Sequence, residues 1–196
     1  MAEEFSLTHA STGAIFREAV SEGSELGETV ESYLDSGKLV PDELTCRVVK
    51  EMVLRREESY ILDGFPRTLP QAEMLDQMLR DRDEELDAAL LFQLSDEEAV
   101  RRLTGRLVCK NCGKNYHREF MPPREEGTCD ECGGDLKVRS DSSEEIVRER
   151  LREYEEKTKP LVPFYENRNI LKRVDASQAP DAVSADTRKV LQELEA

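Results

Sequence analysis

The stretch CKNCGKNYHREFMPPREEGTCDECGG, residues 109 to 134, limits what this chain can fold into more than any other part of it. It sets Cys109 beside Cys112 and Cys129 beside Cys132, two C-x-x-C pairs with 16 residues between them. Two residues between thiolates let one turn supply two ligands to a tetrahedral ion, and glycines directly after Cys112 and Cys132 permit the tight turns. Four soft thiolates with no open position point to a structural Zn²⁺, which would order a segment too small to hold a core of its own. A pair of disulfides is the competing use of these thiols. It is disfavoured because no basic and then apolar leader opens the chain, so the expected compartment is reducing and cytoplasmic. His117 stands near enough to replace a ligand, but four cysteines fill the site, and it reads as a partly exposed loop histidine. The fifth cysteine, Cys46 in LTCRVVKEMVL, reads as a small core residue.

The flanks of that segment define it as an insertion. Helical periodicity covers Ala14 to Val20, Glu25 to Leu34 closed by Gly37, Asp42 to Arg55 behind Pro41, Pro70 to Arg82, Ser95 to Leu103, Ser143 to Leu161 and Pro180 to Leu194. Met1 to Phe5 reads as a helix-like fragment, and Ser11-Thr12-Gly13 as the cap of the helix that follows. Strand signals are short: a weak one at Leu7 to His9, then SYILD at 59 to 63, AALLFQL at 88 to 94 and NILKRVD at 169 to 175. Most lack polar alternation, as strands covered on both faces do. Strands alternating with helices predict an α/β fold, a three-layer parallel sheet with helices on both faces, whose ligands sit at the carboxyl ends of the strands. Asp63, Ser95 and Asp175 occupy those ends.

Charge narrows the ligand. The chain has 43 acidic against 28 basic residues, a formal charge of −15, so a polyanion is repelled as a whole; nucleic acid is not an expected partner, and neither is a membrane. A zinc-ribbon module for nucleic acid would need a basic, aromatic-studded stripe that is absent. A small anion held by a local arginine cluster remains. In YILDGFPRTLPQ an apolar strand ends at Asp63, turns at Gly64 and starts a helix near Pro70, so Asp63 can hold Mg²⁺ through water, and Arg67 projects with the fork that suits phosphate. Arg17 follows the Ser-Thr-Gly cap by one turn, Arg102 and Arg106 are read four apart on one helix, and Arg139 and Arg150 bracket the start of the next. Arginines so placed look like a phosphate clamp, whereas Arg148 and Arg152 fit a solvated, salt-bridged face.

These residues resemble the adenylate kinases that carry a zinc-bearing lid. STG followed by Arg17, GKLVPDEL at 37 to 44, LDGFPRTLPQ at 62 to 71, RLTGR at 102 to 106, the four-cysteine segment and the stretch from Arg139 to Arg150 occur in the order of that family, over essentially the whole chain. The resemblance implies reversible phosphoryl transfer from MgATP to AMP, giving two ADP, by a monomer. It implies AMP contacts from Thr12, Gly13, Arg17, Leu39, Val40, Gly64, Arg67 and Gln71, with the Gln71 amide reading adenine. Lys38, Phe65, Pro66, Asn115 and Tyr116 are further nucleotide contacts by the same resemblance. Arg102 and Arg106 would meet ATP, Arg139 and Arg150 would reach the transferring phosphates, and Asp63 would orient Mg²⁺. It divides the chain into a core (1–10, 41–105, 141–196), an AMP-binding helical subdomain (11–40) and a lid (106–140).

The sequence departs from the family in three places. Ala14 stands where Asp usually follows STG, and Ser142 replaces the second acidic residue of the lid-exit Arg-x-Asp-Asp. No G-x-x-x-x-G-K-[ST] occurs: Gly37-Lys38 is followed by Leu39, and Gly113-Lys114 by Asn115. In the family a strand, that phosphate loop and most of a helix precede the segment reading AEEFSLTH here, so the chain is expected to start inside a domain at an internal methionine. The first central strand would then be missing, leaving its neighbours with unpaired backbone groups, and turnover by this chain would be poor. The alternative is a non-catalytic, AMP-binding regulatory descendant that keeps the zinc lid.

Overall fold

The computed structural model describes residues 2, 4–54 and 59–194. In chain order it contains β1 (Thr8–Ser11), α1 (Thr12–Glu22), α2 (Glu25–Ser36), α3 (Asp42–Leu54), β2 (Tyr60–Asp63), α4 (Leu69–Arg80), β3 (Ala89–Gln93) and α5 (Asp96–Thr104). The lid strands β4 (Arg106–Cys109), β5 (Asn115–His117) and β6 (Leu136–Val138) follow, and then α6 (Glu144–Glu153), α7 (Leu161–Glu166), β7 (Leu171–Asp175) and α8 (Pro180–Leu194). The fold is α/β with parallel strands and flanking helices, as the alternation of elements predicts. Of the expected fragment Met1 to Phe5, Met1 and Glu3 lie outside the described residues, as does Arg55 at the expected end of α3; Ala2, Glu4 and Phe5 lie in turns.

Local chemistry sets several of the helix limits. The side-chain oxygens of Ser24, Thr68, Ser95 and Ser143 each accept a backbone N–H three residues on, so four helices begin on satisfied donors. Gly23 and Gly37 close α1 and α2 with φ of 63° and 73°, a conformation that a β-carbon disfavours. Ser11 does not cap α1 with its side chain as expected; the adjacent Thr12 hydroxyl instead donates to the Gly64 carbonyl across the strand ends (3.3 Å).

The strands form two parallel ladders instead of one continuous sheet. Thr8 to Ser11 pairs with Tyr60 to Asp63, and Ala89 to Gln93 pairs with Leu171 to Asp175; among the described residues no hydrogen bond joins β2 to β3. Helix α4 spans the two. Its Leu75, Met78 and Leu79 pack with Cys46, Val49 and Phe65 over Tyr60 and Leu62, while its Ala72 packs with Leu161 and Tyr165 over Ala89 and Leu171. Leu86 touches both groups. Strand residues Ile61, Leu62, Leu90 and Leu91 stay partly exposed and Phe92 is 50% exposed, unlike the buried strands of a closed parallel sheet.

Two helical expectations are corrected. Arg106 is not on the helix of Arg102: α5 ends at Thr104, Gly105 caps it, and Arg106 opens β4. The helix expected over Ser143 to Leu161 is broken after Glu153 by a π turn, Tyr154–Thr158, before α7. Strand β4 pairs antiparallel with both β5 and β6, so the insert is a small three-stranded sheet. His117 lies at the end of β5, not in a loop: its Nδ1 accepts the Glu119 and Phe120 N–H groups, and Nε2 donates to the Arg102 carbonyl (3.0 Å).

Candidate functional site

A cleft of about 590 Å³, counting space open to solvent, lies between α1, the loop before α3, the turn after β2, and α6 with the turn that precedes it. Of the residues expected at a site, it is lined by Thr12, Gly13, Arg17, Lys38, Leu39, Val40, Gly64, Arg67, Gln71 and Arg150. Phe16, Leu34, Gly37, Thr45 and Asp141 complete the wall. Phe16 and Val40 belong to the core that α1 and α2 make with α3, so the apolar side of the cleft is fixed by packing.

The opposite side is cationic. Burial lowers the Arg17, Arg67 and Arg150 pKa values, and neighbouring guanidinium charges lower them further. Arg106 is brought down to about 10, again by burial first and then by Arg139 and Arg150. Asp141 is the one acid facing this group among the cleft-lining residues. Its carboxylate accepts two hydrogen bonds from Arg139 (3.0 and 2.5 Å) and lies 3.6 Å from Arg150 and 3.9 Å from Arg17. Ser142, where an acid was expected, is buried and donates to Asp141 (3.4 Å). Several partly desolvated cations sharing one carboxylate form a site for a polyvalent small anion.

The floor of the cleft is a hydrogen-bonded turn. Gly64, with φ of 74°, lets the chain turn back so that its carbonyl accepts from Arg67 Nε (2.9 Å); a β-carbon there would lie 2.8 Å from that guanidinium. Phe65 is buried in the core, and Pro66 follows it through a cis bond. Leu39 N–H donates to Glu153 (3.3 Å), and Thr158 Oγ1 donates to the Arg67 carbonyl (2.8 Å), tying α6 and its π turn to two walls of the cleft. Asp63 is exposed and pairs with His9 (3.2 Å), and its charge acts on both Arg17 and Arg67.

Comparison with known proteins agrees with this geometry. The adenylate kinase family model matches residues 1–170. An adenylate kinase of Clostridium perfringens strain SM101 is 46% identical over 97% of this chain and 89% of its own length. That of Clostridium acetobutylicum is 46% identical over 99% of this chain and 91% of its own, and that of Archaeoglobus fulgidus 42% over 99% and 90%. The chain belongs to the adenylate kinase family.

In this member of the family the insert is organised by its cysteines. The four Sγ atoms lie within 4.8 Å of one another, with Cys109 3.5 Å from Cys132 and Cys112 3.6 Å from Cys129. Tetrahedral Zn–S bonds of about 2.3 Å put sulfurs roughly 3.8 Å apart, so the set fits zinc with little movement. The Tyr116 hydroxyl donates to Cys129 Sγ (3.4 Å), which lowers the Cys129 pKa to about 6 and raises that of Tyr116 to about 12. Tyr116 is buried in this knuckle and Asn115 is exposed on β5, so neither reaches the cleft. Arg102 is also apart from it: it donates to Glu98 (2.7 Å) and to the Gln178 carbonyl (3.2 Å) and lies over the Phe120 ring. Arg106 and Arg139 do not line the cleft; after burial, the Arg139 charge lowers the pKa values of Arg17 and Arg150, and Arg106 is itself lowered by burial and then by Arg139, Arg150 and Arg17. Asp42, Asp141, Glu153 and Thr158 were not singled out in the sequence. Asp42 in the first turn of α3 looks like an acid placed for the helix dipole, and nothing local marks its long-range partners.

Proposed function

We propose that this chain is built for the adenylate kinase reaction, in which a phosphate oxygen of AMP attacks the γ-phosphorus of ATP, the β–γ bond breaks, and two ADP result. The observation that carries the reading is the convergence of Arg17, Arg67 and Arg150 with the buried Gln71 amide in the lining of one cleft, cations for a phosphate and an amide for a base. Thr12, Gly13, Lys38, Leu39, Val40 and Gly64 would line AMP, with Phe65 and Pro66 shaping the turn. Arg106 and Arg139 would join Arg150 over the transferring phosphates, while Arg102 would meet ATP at the lid junction.

Phosphoryl transfer asks for in-line positioning and charge cancellation more than for covalent chemistry, and converging guanidinium groups supply both. Mg²⁺ bound with ATP would neutralise phosphate charge, and Asp63 at the end of β2 is the carboxylate suited to orient it. Zn²⁺ on Cys109, Cys112, Cys129 and Cys132 would be structural, holding lid residues 106–140 as a unit that excludes water on closing. The close packing of α1 against α2 supports 11–40 as the AMP-binding part, seated on the core (1–10, 41–105 and 141–196) through Leu44 and Val48 of α3. A monomer in a reducing, cytoplasmic setting suits the five free thiols.

A second reading, AMP binding without turnover, is favoured by two observations. The sequence has no G-x-x-x-x-G-K-[ST], and the two ladders are unjoined. A coupled assay for ADP, run with calorimetric titration of AMP, separates the two. ADP formation that Arg67→Ala abolishes supports the kinase; AMP binding with no ADP supports the second reading; absence of both refutes each.

A further inference from the structure

The Gln71 amide is held at both ends. Its Oε1 accepts the Arg67 backbone N–H at 2.7 Å, and its Nε2 donates to Asp42 Oδ1 at 2.7 Å. The other carboxylate oxygen of Asp42 accepts from the Thr68 hydroxyl (2.9 Å), whose own oxygen accepts the Gln71 backbone N–H (3.2 Å). The partners dictate the polarity of the amide, because a backbone N–H must face an oxygen and a carboxylate must face a donor. Turning the amide by 180° would set N–H against N–H and oxygen against carboxylate at a residue only 2% exposed, losing two bonds, one of them charge-assisted.

After these contacts one Nε2 hydrogen and one Oε1 lone pair remain, in fixed order. A 6-aminopurine offers a donor at N6 beside an acceptor at N1, and a 6-oxopurine offers the reverse, an acceptor at O6 beside a donor at N1. A freely rotating amide satisfies either; an amide of fixed polarity satisfies only one in a given base orientation. We propose that Asp42 is the positioning residue for base selection: it fixes the Gln71 amide so that the site takes 6-aminopurine monophosphates and rejects 6-oxopurine ones. This rests on reading the cleft as the monophosphate site.

The test is calorimetric titration of the protein with AMP and with IMP, which share the phosphate and ribose and differ at position 6. The unaltered protein is expected to prefer AMP by on the order of a hundredfold. Asp42→Ala should cut that ratio by about tenfold, the worth of one oriented hydrogen bond, with IMP gaining relative to AMP. Asp42→Asn, whose carbonyl still accepts from Nε2, should restore most of the ratio. A folded Asp42→Ala protein in which AMP and IMP weaken equally overturns the proposal and leaves the AMP site standing. An unaltered protein that binds neither nucleotide overturns both. Should Asp42→Ala fail to show a cooperative thermal transition, Thr68→Val frees the second carboxylate oxygen while keeping Asp42: a ratio lowered about threefold supports the assignment, and an unchanged one overturns it.

Discussion

Replacing Asp141 by Asn removes one charge without changing shape, at the point where the cationic cleft is most concentrated. In the native protein that carboxylate faces Arg139, Arg150 and Arg17 with only 11% of its side chain exposed. Removing one partner of a buried pair typically costs about 3 to 5 kcal/mol. The cleft opens to solvent and Asn keeps a carbonyl acceptor, so the cost here is set at about 2 kcal/mol. For a chain of this size that is a fall in thermal midpoint of roughly 4 to 8 °C at pH 7. Burial works to raise the Asp141 pKa, but the Arg139 hydrogen bonds and the charges of Arg139, Arg150 and Arg17 outweigh it, and the net shift is downward. A depressed carboxyl stabilises fully above its unfolded value of about 3.9 and loses that contribution as pH falls through the folded value. The gap between variant and parent should therefore hold from neutral pH to about 4 and shrink below it. Inorganic phosphate should raise the midpoint of the variant more than that of the parent, since it replaces the missing anion. Circular-dichroism melts in a phosphate-free buffer and then with phosphate decide it. Midpoints within 1 °C, or equal responses to phosphate, would refute the assignment of Asp141 as the counter-charge of the clamp.

Three further outcomes are expected. A β-carbon on Gly27 would lie 2.1 Å from the Ala19 carbonyl oxygen, so Gly27→Ala must push α2 off α1; overpacking of about 2 to 3 kcal/mol less about 1 kcal/mol of gained helix propensity should destabilise by about 1 to 2 kcal/mol. A urea titration in which the variant equals or exceeds the parent would contradict that packing. Freshly purified protein should contain one zinc per chain by metal analysis, and its removal by a chelator should open residues 106–140 to protease; an unchanged digestion pattern would count against a structural ion. Burial and the Asp42 charge raise the Cys46 thiol to about 11, so mass spectrometry after alkylation at pH 8 should find it unmodified until denaturant is added.

What could be read from the sequence was whatever depends on short-range chemistry. Gly37 closes α2 as its position suggested, the four core strands appeared within one or two residues of their apolar runs, and Cys46 at 1% exposure is the core residue its neighbours suggested. The arginines of the cleft were legible from their placement beside a helix cap, a strand end and the insert, with the resemblance adding their motifs, and the structure brings Arg17, Arg67 and Arg150 into one cleft. The residues that hold those groups were not legible. Asp42 acts on Gln71 29 positions away, and Glu153 on Leu39 114 positions away, distances at which periodicity carries no information. The lid strands were missed because they are three or four residues long and register is set by the knuckle turns, not by apolar alternation.

The break in the expected helix 143 to 161 has a physical role that its sequence conceals. Glu153 and Thr158 are five residues apart, and at 100° per residue an uninterrupted α-helix would point them about 140° away from each other. The π turn, with Lys159 N–H donating to the Tyr154 carbonyl (2.8 Å), widens the backbone by one residue and turns both side chains toward the cleft. Glu153 then accepts from Leu39 on one wall and Thr158 donates to Arg67 on another, while Arg150 one turn earlier meets Asp141. One segment thus sets the spacing between the loop at Leu39 and the turn at Arg67, and a wide turn is tolerated because these long-range bonds compensate for its poorer geometry. Deleting Glu156, which is exposed, should let the turn relax to α-helix and gain local helicity by circular dichroism. Thr158 would then follow Glu153 by four residues, about 40° around an α-helix, so both contacts with the cleft walls should survive and AMP binding should stay within about threefold of the parent. A deletion variant that gains helicity and loses AMP binding would mean that the extra residue does more than keep Glu153 and Thr158 on one face.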